Sequence, residues 1–144
     1  MPISFDLRSA GAADLPFCWN TYREAMQPLL EPLAEWREPE QRRNVERALA
    51  DAGSSILRRE GVDSGWLLVE ETRHAIQLRE LHVLPEMRNR GLGTAFLNWM
   101  KERADRKRKD LTLEVTTNNP ARKLCERLGF KPVTTTGNRV TMRY

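Results

Sequence analysis

The sequence is poor in cysteine and histidine, and this scarcity excludes two classes of small protein. It has two cysteines, Cys18 and Cys125, and two histidines among its 144 residues. A secreted scaffold held by disulfides needs cysteines at a higher density, so the composition favours a reducing compartment. No pair among these four residues has the spacing of zinc ligands, so we expect no structural metal.

Long apolar runs and repeats are also missing. No stretch is long enough to span a bilayer, and the opening residues lack the basic start and apolar core of a signal peptide. We therefore expect a cytoplasmic protein with no membrane partner. No period of about 20 to 50 residues recurs, which argues against solenoids and propellers. A hydrophobic content of 40% over 144 residues predicts a single domain spanning 1–144.

Basic residues exceed acidic ones, and the excess is concentrated in one segment. The net charge is +4, and "KERADRKRKD" at 101–110 carries much of it. We interpret this run as a solvated helix end, where cations complement the helix dipole. Nucleic-acid binding is the alternative and less favoured interpretation.

In the first half of the chain, apolar spacing predicts a strand, two helices and three strands joined by short turns. The predicted ranges are 3–9, 13–26, 40–53, 54–60, 65–71 and 75–84. Pro28, Pro32 and Pro39 predict a break between the two helices, and Gly53 is the expected end of the second.

In the second half, the predicted order is helix, strand, helix and hairpin. Apolar residues at helical spacing predict an amphipathic helix that begins near Gly91. A short strand at 111–115 follows, then a helix within 118–130 capped by Asn119, and a hairpin around "TGN". A strand, helix, strand order implies a right-handed crossover between parallel strands. The expected fold is therefore α+β, with helices flanking a mixed, mostly antiparallel sheet that contains one parallel pair.

The turn "LPEMRNRGLGTAF" at 84–96 joins a strand to a helix and contains two glycines. Without side chains at Gly91 and Gly93, backbone N–H groups are open to an anion at the positive end of the helix dipole. Arg88 and Arg90 add positive charge at the same place. A P-loop would need Lys and then Ser or Thr after the second glycine, and a dinucleotide-binding fingerprint would need a small residue where Phe96 stands. Both of these phosphate-binding motifs are therefore excluded.

Two segments together resemble the GNAT N-acetyltransferase superfamily. "VLPEMRNRGLGTAF" is similar to its acyl-CoA motif, V-x-P-x-x-(Q/R)-x-x-G-x-(G/A), with matches at Val83, Pro85, Arg88, Gly91 and Gly93. "LEVTTNNPARKLCERLGF" resembles the segment N-x-x-A-x-x-L-Y-x-x-x-G-F, with matches at Asn118, Ala121, Leu124, Gly129 and Phe130. Cys125 stands where many members have tyrosine. The element order agrees over the whole chain, but the residues agree only over 81–130.

The resemblance implies acetyl-CoA as co-substrate and assigns residues to it. The backbone N–H groups of the turn would bind the pyrophosphate, and the strand edge at Leu81 and Val83 would pair with the pantetheine arm. The two parallel strands would separate where this arm enters. The complete expected set is Leu81, Val83, Arg88, Asn89, Arg90, Gly91, Leu92, Gly93, Thr94 and Asn118.

The implied reaction is direct transfer of the acetyl group to a primary amine of a small molecule or peptide. An alkylammonium must lose a proton before it attacks, so a base is needed. Glu80 and Glu114, on the two neighbouring strands, are the candidates, and each could instead be a solvated carboxylate. His82 shares a face with Glu80. By the resemblance, the proline-rich segment with Glu31, Glu35, Glu38 and Glu40 would border the acceptor entrance. These carboxylates could attract a cationic amine, or they could be solvated loop charges.

Cys125 has two interpretations. It could replace the family tyrosine as the acid that protonates the departing thiolate, or it could be a small core residue on the helix stripe. Two other functions also stay open: a non-catalytic acyl-CoA sensor and a basic nucleic-acid-binding module. The pattern leaves both a monomer and a homodimer open.

Overall fold

The computed structural model describes residues 4–144, and within that range the chain forms four α-helices and one seven-stranded sheet. The helices are α1 (Leu15–Leu30), α2 (Glu38–Leu49), α3 (Leu92–Lys107) and α4 (Ala121–Arg127). The strands are β1 (Asp6–Ser9), β2 (Ser54–Arg59), β3 (Val62–Glu71), β4 (Ala75–Val83), β5 (Asp110–Thr116), β6 (Lys131–Thr136) and β7 (Arg139–Arg143). Ile3, the first residue of the predicted opening strand, lies outside the described residues.

The sheet has the order β1-β2-β3-β4-β5-β7-β6. Only β4 and β5 run parallel, and α3 makes the crossover between them. The other neighbouring strands in this part of the chain are antiparallel. The predicted α+β fold, with one parallel pair inside a mostly antiparallel sheet, is confirmed.

Helices cover both faces of the sheet, and each face has its own core. On one face, the stripe of α3 formed by Leu92, Phe96 and Met100 is buried together with Phe130, which follows α4. On the other face, α1 and α2 pack on the sheet. Their cluster contains Cys18, Trp19, Val45, Leu49, Ile56 and Trp66. Burial on both faces holds β4 and β5 in the middle of the molecule.

Two predictions about the first helices are wrong. Helix α1 continues through Pro28 to Leu30, and the break comes later, at a short 3-10 turn over Glu31–Leu33. Because Pro28 has no N–H group, the carbonyl of Glu24 lacks its helical hydrogen-bond donor. Both residues are exposed, so water can donate to that carbonyl instead. Helix α2 ends at Leu49, before Gly53.

The basic run 101–110 is partly neutralised by a single carboxylate. Arg103, Lys107 and Lys109 lie 3.0, 2.8 and 2.8 Å from the carboxylate oxygens of Glu71. Hydrogen bonds from the two lysines lower the pKa of Glu71 to about 2. The run thus fastens the end of α3 and the start of β5 to the end of β3. Among the helices of residues 4–144, none is long and apolar enough to cross a bilayer.

Candidate functional site

The parallel strands separate at the point where β4 is irregular. Their pairing runs from Ala75 and Asp110 to Leu78 and Leu113 and stops there. At the same point the register between β4 and β3 shifts, which leaves Arg79 as the additional residue of a β-bulge. The strands therefore diverge at their carboxyl ends, as the family resemblance implied.

A cleft of about 1070 Å³ occupies the space between the diverging strands. Its walls come from the second half of α1, the ends of β4 and β5, the turn before α3, and α4. Most of the predicted site residues line this one cleft: Glu80, Leu81, Val83, Arg88, Asn89, Gly91, Leu92, Gly93, Thr94, Glu114 and Cys125. Arg90 and Asn118 are not among its lining residues.

The turn before α3 presents backbone donors to the cleft. Asn89 and Gly91 adopt left-handed conformations, with φ of 59° and 80°. The first backbone bond of the helix is donated by the N–H of Ala95 to the carbonyl of Gly91, at 2.9 Å. Within residues 4–144, the backbone N–H groups of 89–94 have no protein acceptor. These donors, at the positive end of the α3 dipole, are suited to an anion.

Gly93, one of the residues that carry these donors, has open space where a side chain would stand. Apart from its chain neighbours and the backbone of its own helix, a Cβ atom built on Gly93 would have no atom of the described residues within 4 Å. A glycine at this position leaves room for a partner to approach the backbone closely.

The side chains of two predicted cofactor residues, Arg88 and Asn118, are engaged by the protein itself. Arg88 donates from Nε to the carbonyl oxygen of Val83 at 3.0 Å and so ties the turn to the end of β4. Asn118 donates from Nδ2 to the carbonyl of Leu29 at 3.0 Å. Asn118 thus connects the loop after β5 to the end of α1, outside the cleft wall.

The two candidate bases have different surroundings. The Glu80 side chain is 30% exposed and accepts a hydrogen bond of 2.5 Å from Nε2 of the buried His82. The Glu114 side chain is 52% exposed, and Nε of Arg139 lies 3.9 Å from its Oε1. Glu80 is the more sheltered carboxylate, whereas Glu114 is solvated and lies beside a cation.

Cys125 belongs to the core and to the cleft wall at once. It is 4% exposed and packs in the cluster around α3. Burial raises the pKa of its thiol to about 11, so the thiol remains protonated at neutral pH. Because it is a weaker acid than a free thiol, Cys125 is poorly suited to protonate another thiolate.

Two cleft residues were missed in the sequence. Tyr22 of α1 lines the cleft, with its ring centroid 5.2 Å from that of His82. Its apolar spacing within the predicted helix gave no sign of this position. Burial, and then the negative charge of Glu80, raise the pKa of Tyr22 above its ordinary value. Arg139 of β7 also lines the cleft, and no pattern around it distinguishes it from other strand arginines.

The acidic segment between α1 and α2 does not reach the cleft. Neither Glu31 nor Glu35 is among the lining residues. Glu35 instead accepts hydrogen bonds from Asn138 at 2.7 Å and from Arg139 at 3.1 Å. The bond from Asn138, and then the positive charge of Arg139, lower the pKa of Glu35. The Glu35 carboxylate therefore pairs with the β6–β7 hairpin.

The model of the acetyltransferase (GNAT) family matches residues 16–130 of this sequence. The chain belongs to this family. No curated protein sequence matches the chain. Among described residues, no group of three or more His, Cys, Asp or Glu side chains is arranged to hold a metal ion.

Solved structures show the same fold over nearly the whole chain. An acetyltransferase from Thermus thermophilus is 18% identical, with a TM-score of 0.74 and coverage of 99% of this chain and 97% of that chain. The PaiA N-acetyltransferase from Thermoplasma acidophilum, in complex with coenzyme A, is 16% identical, with a TM-score of 0.73 and 98% of each chain covered. The ribosomal-protein-S18-alanine N-acetyltransferase from Escherichia coli is 22% identical, with a TM-score of 0.68 and coverage of 97% and 92%.

Proposed function

We propose that this protein transfers the acetyl group of acetyl-CoA to a primary amine of a small molecule or a peptide. The observation that carries the proposal is the row of unpartnered backbone N–H groups at the start of α3, placed inside the cleft between β4 and β5. The open space at Gly93 allows a phosphate group to approach these donors. Family membership and a neighbour solved with coenzyme A support the same conclusion.

In this proposal the turn and the strand edge bind different parts of acetyl-CoA. The backbone N–H groups of 89–94 bind the pyrophosphate, with Arg88 adding positive charge beside them. Beyond Leu78, β4 has no described strand partner on the β5 side, so the strand edge at Leu81 and Val83 is open to the amides of the pantetheine arm. The carbonyl oxygen of Val83 would then be shared with Arg88, which already donates to it. Asn118 can donate from Nδ2 to the pantetheine arm only if its hydrogen bond to the carbonyl of Leu29 breaks.

The acetyl group arrives activated as a thioester, and the protein supplies orientation and a base. Glu80 is the better candidate base, since it is sheltered, lines the cleft and is held by a hydrogen bond to His82. It takes the proton of the acceptor ammonium, directly or through one water. Glu114 is the alternative base. We assign Cys125 to the cleft wall, because its thiol pKa of about 11 makes it a poor proton donor.

The test is a screen that monitors release of the CoA thiol with polyamines, amino acids, aminoglycosides and peptides. We expect turnover with at least one acceptor and a strong reduction in Glu80→Gln. Acetyl-CoA should also raise the melting temperature. A rise in melting temperature without turnover would instead support a non-catalytic acyl-CoA sensor. No rise, together with salt-sensitive binding of nucleic acid, would favour the basic binding module.

A further inference from the structure

We propose that His82 is a positioning residue: its ring holds the carboxylate of the base, Glu80, directed into the cleft. This inference rests on the proposed function and adds a residue to it. The observation behind it is the hydrogen bond of 2.5 Å between His82 Nε2 and Glu80 Oε2. An ionised carboxylate can only accept, so Nε2 must carry the hydrogen and His82 must donate it.

The imidazole of His82 is fixed by two aromatic rings from different elements. Trp66 of β3 stacks on it with centroids 5.9 Å apart and planes at 28°. Tyr22 of α1 meets it edge to face, with centroids 5.2 Å apart and planes at 84°. The histidine is 8% exposed. A ring held on two sides cannot rotate freely, so the direction of the Nε2–H bond is fixed as well.

The strand geometry explains why these two side chains meet. Glu80 and His82 are two residues apart on β4 and therefore point to the same face of the sheet. The bulge at Arg79 decides which face this is. It turns Glu80 away from the side of Leu78, which packs against α3, and towards α1. Without the bulge, the carboxylate would lie on the opposite face from His82's aromatic neighbours.

Charged and titratable groups from other elements line the same cleft as this pair. Tyr22 of α1 stays neutral over the ordinary pH range, because its phenol pKa is raised by burial. Arg139 of β7 lies 3.9 Å from Glu114 of β5 and 3.1 Å from Glu35, so its charge is shared between two other carboxylates. Among the described residues, the side-chain hydrogen bond to Glu80 comes from His82.

Substitution of His82 by Phe is the decisive perturbation, because it keeps an aromatic ring and removes the donor. Without this donor, the Glu80 carboxylate is no longer held in one orientation, so we expect kcat to fall by about 10-fold or more. The KM for acetyl-CoA should stay within about two-fold, since the turn is untouched. His82→Gln, which retains an N–H donor, should recover part of the lost kcat.

The chain offers a matched control in its other histidine. His74 is exposed at the turn between β3 and β4, at the opposite end of β4 from the cleft. His74→Phe should leave kcat and the KM for acetyl-CoA unchanged. Normal kcat in folded His82→Phe would overturn the inference and leave the enzyme proposal standing.

A second measurement does not depend on turnover. Nitrogen-15 NMR of the histidine ring should show the Nε2–H form of His82 in the wild-type protein, and the Nε2 resonance should change in Glu80→Gln. The opposite tautomer, or an Nε2 resonance identical in both proteins, would overturn the pairing even if His82→Phe fails to fold. Absence of turnover in the wild-type protein with every acceptor would instead be a failure of the proposed function.

Discussion

Replacement of Gly93 by valine should separate cofactor binding from folding, because the two should change in opposite directions. Gly93 lies in the first turn of α3, and a Cβ atom there has no neighbour within 4 Å. Valine is favoured over glycine inside a helix by roughly 0.3 kcal/mol or slightly more. We therefore expect the melting temperature without ligand to stay level or rise slightly.

The same side chain would be added among residues 92–94, whose N–H groups have no acceptor among the described residues, and we expect it to hinder the approach of a ligand to them. Hydrogen bonds to a charged partner contribute about 1.5 to 3 kcal/mol each. If valine prevents two of them, acetyl-CoA binding weakens by about 3 to 6 kcal/mol, which is a rise in Kd of about 10² to 10⁴-fold. Isothermal titration calorimetry measures this directly. Gly91 is a poorer probe, since its φ of 80° makes any side chain there strain the fold.

Gly11 provides the control for Gly93. A Cβ atom at Gly11 also has no neighbour within 4 Å, and its φ of -146° is extended backbone that any residue adopts. It does not line the cleft. Gly11→Val should therefore leave the Kd for acetyl-CoA unchanged. Wild-type affinity in Gly93→Val, with an intact fold, would refute the assignment of the turn to the pyrophosphate.

Three further predictions test the surroundings of the turn and the core. Arg88→Ala should raise the Kd for acetyl-CoA by less than about 10-fold, because backbone groups carry most of the binding and Arg88 is partly engaged with Val83. A rise in Kd as large as that expected for Gly93→Val would contradict this. Cys125→Ala should cost about 1 kcal/mol of stability with near-normal turnover, and Cys125→Tyr should be more harmful through overpacking. A loss of kcat on the order of 10²-fold in the alanine variant, as expected for a missing proton donor, would show that the thiol acts as an acid. Glu71→Gln should lower the melting temperature at neutral pH. The wild-type advantage should shrink as the pH falls from about 4.5 towards about 2, because the pKa of this carboxylate is depressed in the folded state; an advantage independent of pH would refute the ion-pair explanation.

Much of the fold could be predicted because the signals are local. The apolar spacing of α3, the glycines before it and the hairpin turn each act within a few residues, where backbone conformation decides hydrogen bonding. The prediction failed at Pro28, where a proline usually ends a helix. There the lost bond lies on the exposed side of α1, so its cost is small and α1 continues to Leu30.

The candidate site also has a part that local sequence signals predicted and a part that they did not. The sequence by itself determined the turn with its free N–H groups, since two glycines and the start of a helix produce that geometry from neighbouring residues alone. Only the tertiary structure decided what surrounds Glu80: Tyr22 arrives from α1, Trp66 from β3 and Arg139 from β7. The bulge at Arg79, which turns Glu80 towards them, has no mark in the local sequence. Such convergence depends on how distant elements pack, and packing is set by the whole chain rather than by the spacing within any one segment.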